Sequence, residues 1–174
     1  QSAAAGSAIG AVAGAIIGNQ SGRAGEGAAI GAAVGALGGY ALYRVNASKT
    51  RSAQATADRY GYQPGQAPVV SIDDGDVSPR QARLGDIIRT QVEYALLGTG
   101  PDGVPVTERR MLEKNGAIIM EVSSETFQRS DGTWTSEFAF EVPRDLEPGQ
   151  YALVHFVETP TARVTHRTEF SVIQ

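Results

Sequence analysis

A chain of 174 residues with 41% hydrophobic content can bury one medium core, or a smaller core plus an accessory segment. It has no cysteine, which excludes disulfides, thiolate metal sites, cysteine nucleophiles and a lipidated cysteine within this sequence. The net charge of −4 is split: Arg23, Arg44, Lys49, Arg51 and Arg59 against Glu26 and Asp58 give residues 1–60 a net of +3, while residues 61–174 carry −7, which argues against nucleic-acid binding there.

The first element is a glycine-rich run. The sequence opens on Gln1 without an initiating Met or a basic leader, as expected of a processed or trimmed product. Glycine recurs every fourth residue at Gly6, Gly10, Gly14 and Gly18, and again at Gly27, Gly31, Gly35 and Gly39. Between the runs, "NQSGRAGEG" has the chemistry of a turn. The spacing predicts two helices over about 3–18 and 27–42, folded as a hairpin over residues 1–43.

Glycine costs a helix about 1 kcal/mol per residue relative to alanine, so four per helix cost roughly 4 kcal/mol. Close backbone approach between helices is the known offset. The glycines are therefore read as contact stripes. Ser7, Ala11 and Ala15 flank the first stripe, and Ala28, Ala32 and Ala36 the second. Each helix then offers more thin surface than one partner needs. The predicted oligomerisation residues are the eight glycines with Ala11, Ala15, Ala32 and Ala36, and the expected outcome is a ring, layer or filament.

The Gly6–Tyr40 stretch resembles the bacterial glycine-zipper families of outer-membrane and envelope proteins. That resemblance implies an exported protein of the outer membrane, periplasm or cell surface. The sequence lacks the modified cysteine of the lipoprotein members. Each run is about 16 residues, short of the ~20 needed to span a bilayer. Tyr40 and Tyr43, followed by Arg44, Lys49 and Arg51, would suit a membrane interface. Membrane insertion, a protein-buried oligomer core and a surface element of a monomer all stay open at this point.

Residues 44–67 read as a polar stretch able to continue the second helix, then a Pro/Gly joint, "GYQPGQAP", that should end it. From residue 68 the pattern alternates with period two, predicting an all-β sandwich over 68–174. The expected strands lie at Val69–Ile72, around Ile88–Leu96, Val106–Lys114, Ile118–Phe127, Trp134–Val142, Tyr151–Val157 and Val164–Val172. "KNGA" is an Asn-Gly hairpin turn and "SDGT" another turn. "LEPGQYAL" (Leu146–Leu153) resembles the segment before the penultimate strand of Ig-like and fibronectin-like domains, which implies that fold for residues 68–174 and no particular activity. The fold class expected is thus α+β in two parts, a helical hairpin and an Ig-like sandwich.

Candidate chemistry is sparse. A turn at Thr159–Ala162 would set His155 opposite His166, but no third ligand is placed for a metal. "DDGD" (Asp73–Asp76) is too short for a calcium loop and reads as a solvated turn. Arg109 and Arg110 read as a solvated or subunit-contact face, and Trp134 as core. No catalytic, cofactor or metal residues are assigned. The reading is a non-enzymatic, self-assembling envelope or surface protein. The alternatives are a membrane-inserted anchor or pore with a periplasmic β-domain, and a monomeric module recognising protein or glycan.

Overall fold

The computed structural model describes residues 42–174. Nine strands are present there: β1 (Leu42–Arg51), β2 (Val69–Ser78), β3 (Gln81–Arg83), β4 (Ile87–Leu97), β5 (Val104–Lys114), β6 (Ala117–Arg129), β7 (Gly132–Glu141), β8 (Gly149–Glu158) and β9 (Arg163–Ile173). One helix, α1 (Ala53–Tyr60), follows β1. The strands form two sheets, ordered β1-β7-β4-β2 and β3-β9-β8-β5-β6. All pairings are antiparallel except β3 with β9.

Alternation builds this sandwich. On β4, Ile88, Thr90, Val92, Tyr94 and Leu96 point inward and are at most 3% exposed. Trp134, Ser136, Phe138 and Phe140 likewise point inward on β7 and are buried. The interior holds two apolar clusters. One gathers Ile88, Leu112, Phe138, Phe140, Tyr151, Leu153 and Phe170. The other gathers Val92, Tyr94, Leu96, Val106, Trp134 and Val157 at the opposite end.

The turns take the chemistry their residues allow. Asn115 (φ 53°) and Gly116 (φ 79°) both adopt the left-handed region in the β5–β6 turn, as a tight hairpin of that sequence requires. In the segment before β8, the Tyr151 hydroxyl donates to the Glu147 carbonyl at 2.5 Å, fastening the "EPGQY" bend to the strand it precedes.

The two-part α+β expectation is corrected here. The regular structure among the described residues is all β except for α1. The polar stretch from residue 44, expected to prolong a helix, begins as β1 and becomes helical only at Ala53. Tertiary pairing overrides helix propensity: β1 pairs along β7 from Leu42 opposite Phe140 to Arg51 opposite Thr133. Lys and Arg suit such an edge strand, because charge there discourages further strand addition. The predicted glycine hairpin lies outside the described residues.

Helix α1 obeys local rules. Ser52 caps it by accepting the Ala55 N–H at 3.2 Å, and Gly61 ends it at φ 61°. Its buried Thr56 meets Thr133 of β7, hydroxyl to hydroxyl at 2.9 Å. "DDGD" is also corrected: it is no solvated turn but lies inside β2, paired with β4.

Candidate functional site

Three features stand out on the sandwich: a charged layer in its interior, a clamp holding β1 and α1, and an exposed apolar tip.

The charged layer separates the two apolar clusters. Glu108 and Arg110 lie two apart on β5, so both point inward, and each side chain is at most 2% exposed. Arg110 Nη2 donates to Glu108 Oε2 at 3.1 Å and to Ser136 Oγ at 3.1 Å, and Arg110 Nη1 donates to Ser123 Oγ at 3.3 Å. Tyr94 donates to Glu108 Oε1 at 2.7 Å, and Arg129 stands 3.8 Å from that oxygen. The Arg129 guanidinium also lies over the Trp134 ring at 4.2 Å. Burial, then the Glu108 charge, push the Tyr94 hydroxyl well above the usual tyrosine range. Arg110 corrects the expectation of a solvated face, whereas Arg109 does face outward, 2.8 Å from Glu121.

His155 completes the layer. Its Nε2 lies 2.6 Å from Thr90 Oγ1, and it is 1% exposed. Burial, followed by the Arg110 charge, lowers its pKa to about 3. His155 stands directly opposite His166, and Val157 opposite Val164, in the register the sequence predicts. Among the described residues no group of three or more His, Asp or Glu side chains is disposed to hold a metal ion.

The clamp converges on Asp73 of β2, whose side chain is 5% exposed. Arg51 of β1 and Arg59 of α1 each approach its Oδ2 at 3.6 Å, and the Tyr60 hydroxyl donates to Oδ1. Burial and the Asp73 carboxylate raise the Tyr60 hydroxyl above its ordinary value. Arg51 also pairs with Glu93 at 2.9 Å. Lys49 donates to Ser130 Oγ and the Asp131 carbonyl, both at 2.9 Å, and sits 5.0 Å over Trp134. Lys49 and Arg51, read as membrane-facing, are thus engaged within the domain; Tyr43 and Arg44 lie in β1, and Tyr40 lies outside the described residues. The clamp is not legible in sequence, because its partners are distant and the residues around Asp73 carry the composition of a turn.

The predicted oligomerisation residues, Gly6, Gly10, Ala11, Gly14, Ala15, Gly18, Gly27, Gly31, Ala32, Gly35, Ala36 and Gly39, all lie outside the described residues. What the fold does fix is where that segment joins. β1 begins at Leu42 opposite Phe140, at the end of the sandwich holding the Phe140–Leu153 cluster. The large exposed apolar residues among those described, Ile87, Ile118 and Ile119, lie at the same end.

A groove of about 300 Å³ on the first sheet is lined by Asp76, Arg89, Gln91 and Glu137 with Phe138 beneath. Its lining residues carry both signs of charge, with the Asp76 and Glu137 carboxylates beside the Arg89 guanidinium.

The family pattern described as a glycine-zipper domain matches residues 1–42. The match ties that segment to outer-membrane and cell-envelope proteins in general. No curated protein matches the sequence. Among solved structures, an alkylpurine DNA glycosylase of Pseudomonas fluorescens bound to DNA is 16% identical over 60% of this chain and 30% of its own, with a TM-score of 0.41. A sporulation control protein of Bacillus subtilis is 12% identical over 63% of this chain and 50% of its own, TM-score 0.43. A CARDB domain of Pyrococcus furiosus in complex with di-metal ions is 15% identical over 61% of this chain and 89% of its own, TM-score 0.40. This chain thus spans half or less of the first two proteins.

Proposed function

We propose that this protein is a non-enzymatic, self-assembling component of the cell envelope. Its glycine-striped segment associates with copies of itself, and its β-sandwich, used in the manner of Ig-like domains, decorates or bridges the subunits. The observation carrying this reading is the junction. The glycine-zipper match ends at residue 42, and β1 begins at Leu42 as a hydrogen-bonded strand of the first sheet. The two abut without a linker, so the geometry of an assembled segment would pass directly to the sandwich. The Asp73 clamp then fixes the far end of β1. The buried hydrogen bonds that cross between the sheets, Tyr94 to Glu108, Arg110 to Ser136 and Thr90 with His155, also fit a scaffold, since those groups hold the sheets together.

The test is assembly size in Gly10→Val and Gly31→Val chains. The parent is expected to sediment as a large species without detergent, and the variants as small species with unchanged near-UV circular dichroism. Assemblies of parental size in both variants would overturn the proposal. A parent extracted only by detergent would favour the membrane anchor instead.

A further inference from the structure

The outer face of the first sheet follows from its register. Gln91 of β4 stands opposite Asp76 of β2 on one side and opposite Glu137 of β7 on the other. Arg89, two residues before Gln91, stands opposite Ser78 and Ala139. Val77, Thr90 and Phe138 alternate with these positions and are buried in the interior, so Asp76, Arg89, Gln91 and Glu137 project to the outside. Ser78 and Ala139 are short side chains, which leaves depth beside Arg89. The groove of about 300 Å³ lies at this crossing.

The charges in the groove do not close on one another. Arg89 is a diagonal cross-strand neighbour of both carboxylates, and at the ~7–8 Å of such positions a long side chain can reach them. Asp76 instead takes the Arg80 guanidinium, at 2.7 Å. Among the described residues, Arg89 and Glu137 make no hydrogen bond or ion pair, and neither does Gln91 beside them. These groups have no protein partner to give up when a ligand arrives.

The balance of charge sets the class of ligand. With Asp76 neutralised by Arg80, one unpaired cation, Arg89, and one unpaired anion, Glu137, line the groove. A purely anionic ligand on Arg89 would be repelled by Glu137, and a purely cationic one on Glu137 would be repelled by Arg89, since both lie within the ~8–10 Å over which charges act in salt solution. A molecule carrying both charges meets neither penalty. Diagonal positions ~7–8 Å apart match the ends of a dipeptide, which two extended residues set roughly 7 Å apart. The Gln91 amide can donate to and accept from a peptide bond. The volume of about 300 Å³ lies at the small end for ligand sites, as a guest of that size requires.

We propose that this groove binds a short zwitterionic peptide of about dipeptide size, its carboxylate on Arg89, its ammonium on Glu137 and its amide against Gln91. The site belongs to the sandwich alone, so it stands apart from self-association through the glycine-striped segment.

Saturation-transfer NMR on the full chain tests this whatever the assembly size. The probe is alanyl-alanine, compared with its N-acetylated form, which lacks the ammonium, and its C-terminal amide, which lacks the carboxylate. The free dipeptide is expected to give a saturable signal with a Kd below ~10 mM. Each blocked form should bind at least ~5-fold more weakly, and so should the free dipeptide to Arg89→Gln and to Glu137→Gln chains with parental circular dichroism. The blocked forms probe the parent itself, so a variant that misfolds leaves the result readable. No saturable signal up to about 20 mM would overturn the proposal. Equal affinity for free and blocked forms would overturn it too. Weakening by only one block, or in only one variant, would mean a ligand held by a single charge and would also overturn it. Binding that both variants leave unchanged would place the peptide elsewhere on the chain.

Discussion

Arg110 Nη2 sits 3.1 Å from Glu108 Oε2 in the middle of the sandwich, on the same face of one strand, with both side chains closed off from water. A buried pair of this kind offers little net stability over an apolar pair, but removing Arg110 takes away the nearer of the two guanidiniums that face Glu108, leaving Arg129 at 3.8 Å. Arg110→Met is expected to lower stability by up to about 3 kcal/mol, the low end for breaking a buried pair, because Arg129 and the Tyr94 hydroxyl still face Glu108. The Glu108→Gln, Arg110→Met double variant should lose clearly less than the sum of the single losses. Urea melts of the four chains measure the coupling; simple additivity would show that the pair does not act as a unit.

His155 gives the fold a pH dependence. Its folded pKa of about 3 lies below the ordinary value of 6.5, so between those values the unfolded chain binds a proton that the folded chain refuses. Stability therefore rises with pH across that window and levels off above about 6.5, with a slope near 1.4 kcal/mol per unit from this residue. His155→Gln should flatten that part of the curve, whatever it does to stability at neutral pH. An unchanged slope in this variant would mean that His155 takes up its proton in the folded state.

The sandwich itself was legible because its strands alternate. Thr90 to Leu96 and Trp134 to Phe140 carry the period openly, and Asn115-Gly116 announces its turn. The His155–His166 register followed from one correctly placed hairpin. The pattern was silent where long-range pairing decides. β1 is polar and borrows its strand character from β7. β3 has three residues, too few to show a period. The inward carboxylate and guanidinium of Glu108 and Arg110 look, in a one-dimensional pattern, like a solvated face. The clamp joins Arg51, Arg59 and Asp73 across positions whose proximity only the folded chain creates.

Close packing between β2 and β9 gives a third prediction. A side-chain carbon added at Gly75 would collide with Nδ1 of the His166 ring. Gly75→Ala is expected to cost about 1–3 kcal/mol through overpacking. His166→Ala removes the obstructing ring, so the double variant should recover most of that loss. Thermal denaturation of the three variants tests this, and failure of His166→Ala to restore stability would place the strain elsewhere.

The Asp73 clamp predicts a local effect. Asp73→Asn removes the charge that Arg51, Arg59 and Tyr60 share, and should weaken the hold on β1 and α1 by about 1–3 kcal/mol. Hydrogen exchange should then speed up at amides of Thr56–Tyr60 and the end of β1, while β8 keeps its protection. Uniform acceleration across all strands would mean that the clamp supports the whole fold rather than this corner.

The proposed assembly of copies of the chain through the glycine-striped segment is tested most directly by electron microscopy of the full-length parent in detergent-free buffer. Filaments, rings or layers are predicted, with a regular repeat and one sandwich per subunit. A uniform field of single sandwich-sized particles at micromolar concentration would contradict it.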